Sequence, residues 1–279
     1  MNAATADRRI GKQGEPWDPL ISHEDRLAVT LSCCYTAPLF KPLHCYLFTD
    51  AFYHQHQEDA DEFLRRVLEG DNASPHLLQV MTGIRQWVMH CPSPCCTGTK
   101  FLSLETFCWL SLHVLVEGRV VRDVQEALNN YHSADVVDDV TEPCPICGCS
   151  GPNDPRSWHR ECHTKKLPPV LMILLNRWHS PDAEGACLDS IEVNQTVWFQ
   201  QCEYQLQGAV VHLGPSPDSG HYVAIARHQQ GREEWWIYDD ADRRIATPEQ
   251  VSTLENPYKG YAGYGNMQSY IVVYELVHL

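Results

Sequence analysis

The chain has 279 residues, enough for one large domain or two modest ones with a real hydrophobic core. Acidic residues outnumber basic ones by 36 to 21, and the formal charge of −15 argues against a nucleic-acid-binding protein, which needs a basic surface to neutralise phosphates. The sequence has no apolar run long enough to span a membrane and no apolar segment typical of a signal peptide, so we expect no membrane partner.

The composition is unusual in its 13 cysteines and 15 histidines. The number of cysteines is odd and no secretion signal accompanies them. We therefore expect reduced thiols, some of them on zinc, rather than a disulfide scaffold. This composition predicts a cytoplasmic or nuclear protein.

The predicted elements change in character along the chain, after a polar segment over residues 1–40. Apolar residues at helical spacing predict a helix over 54–68 and a short amphipathic helix over 124–131. Residues 77–87 fit a helix or a strand equally well, and residues 107–116 are rich in β-forming side chains. Five β-prone runs follow Pro169, at 170–175, 204–212, 221–228, 235–238 and 269–276. This order predicts an α+β fold that ends in an antiparallel sheet.

Two neighbouring β-prone runs carry a histidine and an aspartate pair. His221 opens one run, and Asp239 and Asp240 close the next, so a hairpin would bring them side by side. We expect the carboxylate to bind Nδ1 of the imidazole and to leave Nε2 as a general base. Gly220 would let a substrate backbone approach closely. Alone the pair is a weak signal, because a histidine at a strand end is more often structural.

A possible metal site stands in the middle of the chain. Cys144 and Cys147 form a Cys-x-x-Cys followed by glycine, a tight knuckle that points two thiolates at one ion. Cys91, with Cys95 or Cys96, can supply the other ligands. A redox pair and cysteines in a plain turn are the alternatives, and no thioredoxin-like pattern supports the first. The rival ligands are Cys108, Cys149, Cys162, His90, His159 and His163.

The start of the helix predicted over 54–68 is rich in acids. Its sequence is Gln57-Glu58-Asp59-Ala60-Asp61-Glu62-Phe63-Leu64, and acids in a first turn suit the positive end of the helix dipole. This segment resembles the Gln-Gln-Asp-Ala-x-Glu-Phe-Leu box of the ubiquitin-specific proteases, which are papain-like cysteine deubiquitinases.

Further signatures of that family follow in the family's order. The segments that resemble them are Glu105-Thr106-Phe107 with Leu110-Ser111-Leu112, the Cys144/Cys147 knuckle, residues 166–171 with 174–178, residues 204–212 with Gly220-His221-Tyr222, residues 235–240 and residues 269–274. The resemblance covers roughly residues 43–276.

The resemblance implies a papain-like fold over residues 41–279, with a helical thumb, zinc-knuckle β fingers over about 88–165 and an antiparallel β palm over about 166–279. It implies hydrolysis of the bond after the C-terminal glycine of ubiquitin, with ubiquitin or ubiquitinated proteins as partners. In the implied roles, His221 is the general base, Asp239 is the carboxylate that orients it, and Asp240 is a supporting acid. The implied residues that bind the ubiquitin tail are Gln57, Asp59, Glu62, Phe63, Gly220 and Tyr222.

The catalytic cysteine is where the chain departs from the family. The family's nucleophile lies in a Gly-Asn-Thr-Cys segment at a helix N-terminus, where the thiol pKa is lowered. No segment here matches it; Cys34-Tyr35 is a partial counterpart, but Leu31 and Ser32 stand where Gly and Asn belong. Three interpretations stay open: an incomplete chain with a truncated thumb, a non-catalytic ubiquitin-binding relative, and Cys34 as a displaced nucleophile.

Overall fold

The computed structural model describes residues 59–69, 75–91, 96, 99–131, 135–137, 144, 146–148, 158–177, 187, 189–216, 219–228, 234–239, 242–252, 254 and 267–277. The helices in these ranges are α1 (Ala60–Glu69), α2 (Pro75–Met81), α3 (Val124–Asn130) and α4 (Pro248–Ser252). Among the described residues, none of the helices has the length and apolar character that crossing a bilayer requires.

The strands, in chain order, are β1 (Gly83–His90), β2 (Thr99–Phe107), β3 (Trp109–His113), β4 (Leu115–Val116), β5 (Arg119–Val120), β6 (Asp135–Val137), β7 (Trp158–Lys166), β8 (Val170–Asn176), β9 (Thr196–Phe199), β10 (Cys202–Ser216), β11 (Ser219–His228), β12 (Glu234–Asp239), β13 (Asp242–Ile245) and β14 (Met267–Leu276). They form two main sheets and the small β4–β5 ribbon.

The larger sheet, here called the palm sheet, has the strand order β13-β12-β11-β10-β14-β8-β3, with β9 paired to β10. Its pairs are antiparallel except for β3 with β8, which is parallel. The strands after Pro169 pair antiparallel with one another, as predicted, and the parallel pair is added by β3, which comes from earlier in the chain. The physical reason is the long connection from β3 to β8, because a parallel pair needs a crossover that a tight hairpin cannot make.

Helices cover both faces of the palm sheet. Strand β8 is an apolar run that is buried on both faces, and its side chains alternate between two cores. One core joins the sheet to α1 and α2 through Ala60, Leu64, Leu68 and Met81. The other core joins the opposite face to α3 through Val124, Ala127 and Leu128. Burial of these side chains fixes α1 on the sheet, since each fully buried leucine contributes about 1.5–3 kcal/mol.

The smaller sheet, here called the finger sheet, has the antiparallel order β2-β1-β7-β6. One face carries a polar network around Trp87 rather than an apolar core. The indole Nε1 donates to Glu105 at 3.0 Å, and the Arg160 guanidinium stacks 4.5 Å from the ring centre. Hydrogen bonds from Ser103 and Trp87, with the nearby charge of Arg85, lower the pKa of Glu105.

The observed helices and strands can be compared with those predicted from the sequence. The α+β class is confirmed. Of the helix predicted over 54–68, residues 54–58 lie outside the described residues, and α1 begins at Ala60. The ambiguous stretch 77–87 divides into the end of α2 and the start of β1. The proposed division into fingers, palm and an N-terminal segment stays a prediction.

Candidate functional site

The predicted histidine–aspartate pair lies at one end of the palm sheet, on neighbouring strands β11 and β12. Ala224 pairs with Tyr238 in this hairpin, so His221 sits diagonally across from Asp239 on the same face. His221 Nε2 lies 2.6 Å from Asp239 Oδ1, and both side chains are about one third exposed. A carboxylate at this distance holds the imidazole in one orientation.

The ring nitrogen that contacts Asp239 differs from the expected one. We expected Nδ1 to face the carboxylate, but the structure places Nε2 there. The diagonal position explains the difference, because the imidazole must extend its outer edge along the hairpin to reach Asp239. Nδ1 is consequently the nitrogen left to exchange a proton with a substrate or a thiol.

Gly220, which precedes this histidine, serves the chain's own sheet. Its φ of +133° lies in the region that favours glycine, and a Cβ there would collide with the carbonyl oxygen of Leu213 on β10. The absence of a side chain at Gly220 thus makes room for the backbone of Leu213, while the approach of a substrate backbone stays a prediction. Gly220 thus lets β11 pack against β10 directly before His221, the residue whose side chain contacts Asp239.

Tyr222 begins a chain of contacts that reaches α1. Its ring lies 4.5 Å from that of His212 and 6.1 Å from that of Tyr270. The Tyr270 hydroxyl in turn donates to Asp59 Oδ2 at 3.0 Å. Burial and the neighbouring charge of Asp59 raise the pKa of Tyr270, so this hydroxyl stays protonated and remains a donor. The buried face of the site is therefore connected to the start of α1.

Asp59 holds the N-terminus of α1. Its Oδ1 accepts from the backbone N–H of Asp61 at 2.8 Å, and its carbonyl accepts the first helical bond, from Phe63. Both carboxylate oxygens of Asp59 therefore bind within the protein. Glu62 is exposed and Phe63 half-buried, so these two predicted tail-binding residues face or border solvent.

Four cysteines meet at the end of the finger sheet. The Sγ atoms of Cys91, Cys96, Cys144 and Cys147 all lie within 4.8 Å of one another. Cys91 and Cys147 are 3.6 Å apart, and so are Cys96 and Cys144. Zinc–sulfur bonds of about 2.3 Å in a tetrahedron give sulfur–sulfur edges of about 3.8 Å. The cluster therefore has the dimensions of a four-thiolate metal site.

The Cys144–Cys147 turn prepares two of these thiols for a metal. Gly148, at φ +70°, donates its N–H to the Cys144 carbonyl at 2.9 Å and closes the knuckle. The N–H groups of Cys147 and Ile146 point at Cys144 Sγ and lower the pKa of this thiol. A thiol that deprotonates more easily is a better ligand, because metals bind the thiolate.

Other predicted site residues lie elsewhere or outside the described residues. Cys108 contacts Thr82 Oγ1 at 3.6 Å, and Cys162 is buried in the finger sheet. His90 and His163 approach Glu161 rather than the cysteines. The structure does not describe Cys34, Gln57, Cys95, Cys149, Asp240 or the side chain of His159.

Comparison with known proteins places the chain in a family. The family described as "Ubiquitin carboxyl-terminal hydrolase" matches residues 39–274, most of the sequence. The chain belongs to this family. The predicted resemblance to ubiquitin-specific proteases is thereby confirmed, while the roles of individual residues stay predictions.

Curated relatives of this ubiquitin carboxyl-terminal hydrolase chain are longer proteins. Ubiquitin carboxyl-terminal hydrolase 13 of Saccharomyces cerevisiae is 26% identical over 154 residues, which cover 51% of this chain and 20% of that protein. Ubiquitin carboxyl-terminal hydrolase 25 of Arabidopsis thaliana is 24% identical over 265 residues, which cover 84% of this chain and 38% of that protein. The chain thus spans well under half of the length of these relatives.

Solved structures share the fold of the chain. The SAGA DUB module Ubp8/Sgf11/Sus1/Sgf73 bound to monoubiquitin matches with a TM-score of 0.62 at 21% identity, over 80% of this chain and 49% of that one. A yeast SAGA DUB module with an Sgf73 mutant matches with a TM-score of 0.56 at 20% identity, over 79% and 46%. The expected ubiquitin-specific protease fold is confirmed.

Tyr270, whose hydroxyl connects the site to α1, is not among the site residues predicted from the sequence. The sequence predicts only a strand over residues 269–276, and a tyrosine within this apolar strand is the feature that could have indicated a buried hydrogen bond. A buried tyrosine requires a hydrogen-bond partner, and Asp59 is that partner here. Glu161, which lies beside His90 and His163, is not predicted either, because no motif in the sequence marks it.

Proposed function

We propose that this protein is a thiol-dependent deubiquitinase that hydrolyses the bond after the C-terminal glycine of ubiquitin. The observation that carries the proposal is the 2.6 Å contact between His221 Nε2 and Asp239 Oδ1. Membership of the ubiquitin carboxyl-terminal hydrolase family supplies the reaction class. A histidine oriented by a carboxylate is the base that a cysteine nucleophile requires.

In the proposed mechanism, His221 Nδ1 accepts the proton of a cysteine thiol, and the thiolate attacks the carbonyl carbon of ubiquitin's last glycine. His221 then gives that proton to the leaving amine, which leaves a thioester between enzyme and ubiquitin. Water, deprotonated by His221, hydrolyses the thioester and restores the thiol. Asp239 stabilises the imidazolium in each step and holds the ring. Cys34 is the candidate nucleophile.

A non-catalytic ubiquitin-binding relative is the second candidate function. The observation that favours it is the sequence around Cys34, where Leu31 and Ser32 replace the family's glycine and asparagine. The asparagine of that segment helps to stabilise the oxyanion of the tetrahedral intermediate. Without a nucleophile the rate falls by about 10⁶-fold, so such a chain would bind ubiquitin and leave it intact.

A ubiquitin carrying a thiol-reactive group at its C-terminus tests both candidates. We expect covalent labelling of the chain, loss of labelling in Cys34→Ser, and no change in Cys33→Ser, the matched neighbour. Hydrolysis of a ubiquitin–fluorophore amide should fall about 10²–10⁴-fold in His221→Gln, which removes the general base, and in Asp239→Asn, which removes the carboxylate that orients it. Binding without labelling would refute hydrolysis by this chain and favour the non-catalytic relative.

We propose that Cys91, Cys96, Cys144 and Cys147 hold one structural zinc ion. The sulfur–sulfur distances fit a four-thiolate tetrahedron, and four protein ligands leave no open position for catalytic water. The ion would fold the end of the finger sheet and take no part in hydrolysis. Metal analysis should find one zinc per chain, reduced to none in Cys144→Ala and unchanged in Cys162→Ala. Zinc-free protein with an intact finger sheet would refute this assignment.

The proposed partner is ubiquitin, alone or attached to a protein. The solved structure of the SAGA DUB module with monoubiquitin supports this proposal through its shared fold. Exposed Glu62 on α1 suits the arginine of the ubiquitin tail, because a carboxylate pairs with a guanidinium. We place the protein in the cytoplasm or nucleus, where thiols stay reduced. The eight cysteines that the structure describes form no disulfide.

A further inference from the structure

The finger sheet carries a second cluster of metal-binding side chains, on strands β1 and β7. These strands pair so that His90 lies opposite His159, and Val88 opposite Glu161. Glu161 and His163 are two residues apart on β7 and therefore point to the same face as His90. His90 and Glu161 form a diagonal pair, a separation that long side chains can cross. Strand pairing thus gathers the three side chains from distant parts of the chain.

The three ligand atoms converge on one point in solvent. His90 Nε2 lies 2.9 Å from Glu161 Oε2, and His163 Nε2 lies 3.5 Å from the same oxygen. All three atoms lie within 4.8 Å of one another, and each side chain is about two fifths exposed. We propose that His90, Glu161 and His163 form a second, solvent-accessible site for a divalent transition-metal ion.

The distances suit a metal ion of the first transition row. Zinc bonds to histidine nitrogen and carboxylate oxygen at about 2.0–2.2 Å, which gives ligand–ligand edges of about 3.3–3.5 Å in a tetrahedron. The observed 3.5 Å lies within this range and the observed 2.9 Å lies below it, so a small movement of His90 away from Glu161 would seat an ion. Zinc, nickel and copper prefer imidazole nitrogen, whereas magnesium and calcium prefer oxygen ligands.

This second site differs in kind from the four-cysteine cluster. Three protein ligands leave a coordination position open to water or to a donor from another molecule, whereas four thiolates close theirs. The ligands are exposed, so the ion would exchange with solvent. The protein's net charge of −15 favours cation uptake at such a surface site. The ion would also join β1 to β7 across the middle of the finger sheet.

Nickel titration of the full chain, with its four-cysteine metal retained, tests the proposal. Calorimetry should show one further Ni²⁺ bound per chain. Absorption spectra should show no near-ultraviolet thiolate charge-transfer band, and metal analysis should show that the metal of the four-cysteine cluster is not released. His163→Ala and Glu161→Gln should each weaken this binding by at least about tenfold, since even the loss of a residue that only hydrogen-bonds to a metal ligand typically costs about 10–100-fold in affinity. His90 is not the variant of choice, because its neighbour Cys91 belongs to the other cluster.

His113→Ala is the matched control. His113 is an exposed histidine on β3, in the palm sheet, and its removal should leave nickel binding unchanged. Thermal unfolding of each variant verifies that the exposed substitutions leave the fold intact. Three results would overturn the proposal: no further nickel uptake, equal uptake in His163→Ala and His113→Ala, or a thiolate band that places the nickel on cysteines.

Discussion

Replacing Tyr270 by phenylalanine removes one hydroxyl from the contact between the palm sheet and α1. The hydroxyl donates to Asp59 Oδ2 at 3.0 Å, and the tyrosine itself is 4% exposed. Phenylalanine keeps the ring and its contact with Tyr222, so the change isolates the hydrogen bond. Asp59 also holds the N-terminus of α1, so the loss should be felt by the helix.

The expected size of the effect follows from the type of acceptor. A hydrogen bond to a charged group contributes about 1.5–3 kcal/mol, whereas a bond between neutral groups contributes about 0.5–1.5 kcal/mol. Asp59 keeps its bond from the Asp61 N–H, so we take about 2 kcal/mol for Tyr270→Phe. For a chain of this size each kcal/mol lowers Tm by about 2–4 °C, so the variant should lose about 4–8 °C.

Tyr274→Phe is the matched control for this measurement. The Tyr274 hydroxyl is also buried in β14, but it donates to the neutral carbonyl of Asn194 at 2.9 Å. Its loss should lower the free energy of unfolding by about 1 kcal/mol. Denaturant unfolding and hydrogen exchange of both variants are the assays, with faster exchange in α1 expected only for Tyr270→Phe. Equal losses, or unchanged exchange in α1, would refute the proposed contact between Tyr270 and the helix.

Three further predictions concern pH, a glycine and a turn. Burial raises the pKa of Tyr204, Tyr270 and Tyr274, so the folded state keeps them neutral. Stability should be complete below the ordinary tyrosine pKa of about 10 and should fall as pH rises above it, less steeply in Tyr204→Phe, which alkaline unfolding would measure. Gly220→Ala should separate β10 from β11 near His221 and abolish ubiquitin hydrolysis. Gly118→Ala is the control: at φ +73° with open space around it, this change should lower the free energy of unfolding by only about 1–2 kcal/mol. Gln201 has a φ of +66° in the β9–β10 turn, a backbone conformation that strains a residue with a side chain. Gln201→Gly should therefore raise the free energy of unfolding by about 0.5–1 kcal/mol, and an unchanged Tm would contradict this strain.

The parts of the fold that the sequence predicted are those with a strong hydrophobic pattern. Residues 170–175 are apolar without interruption because β8 is covered on both faces, and the pattern predicted a strand correctly. Strand β7 was missed, since its sequence of Trp, His, Arg, Glu, Cys, His, Thr and two lysines has no apolar side to recognise. It forms because β1 and β6 pair with it on either side, and such pairing is invisible in a single segment.

The candidate site shows a similar division between residue type and geometry. The sequence predicted that His221 and Asp239 would meet, because they stand at facing ends of neighbouring strands. It could not predict which imidazole nitrogen would meet the carboxylate, since that depends on the diagonal offset between the strands. The structure brings Cys96 into the cluster, whereas the alternative ligand Cys95 lies outside the described residues. Glu161 escaped notice because only strand pairing places it beside His90.

Consecutive residues of strand β11 contact the proposed catalytic aspartate and the buried tyrosine that binds Asp59. Successive side chains of a strand point to opposite faces, so His221 meets Asp239 on one face while Tyr222 packs against Tyr270 on the other. Tyr270 binds Asp59, which holds the helix that carries Glu62. The proposed base and the proposed ubiquitin-binding helix are therefore connected through two strands, β11 and β14. Residues 222–226 of β11 are buried, and a close-packed interior resists the displacement of one strand, which favours a site that is formed before ubiquitin arrives.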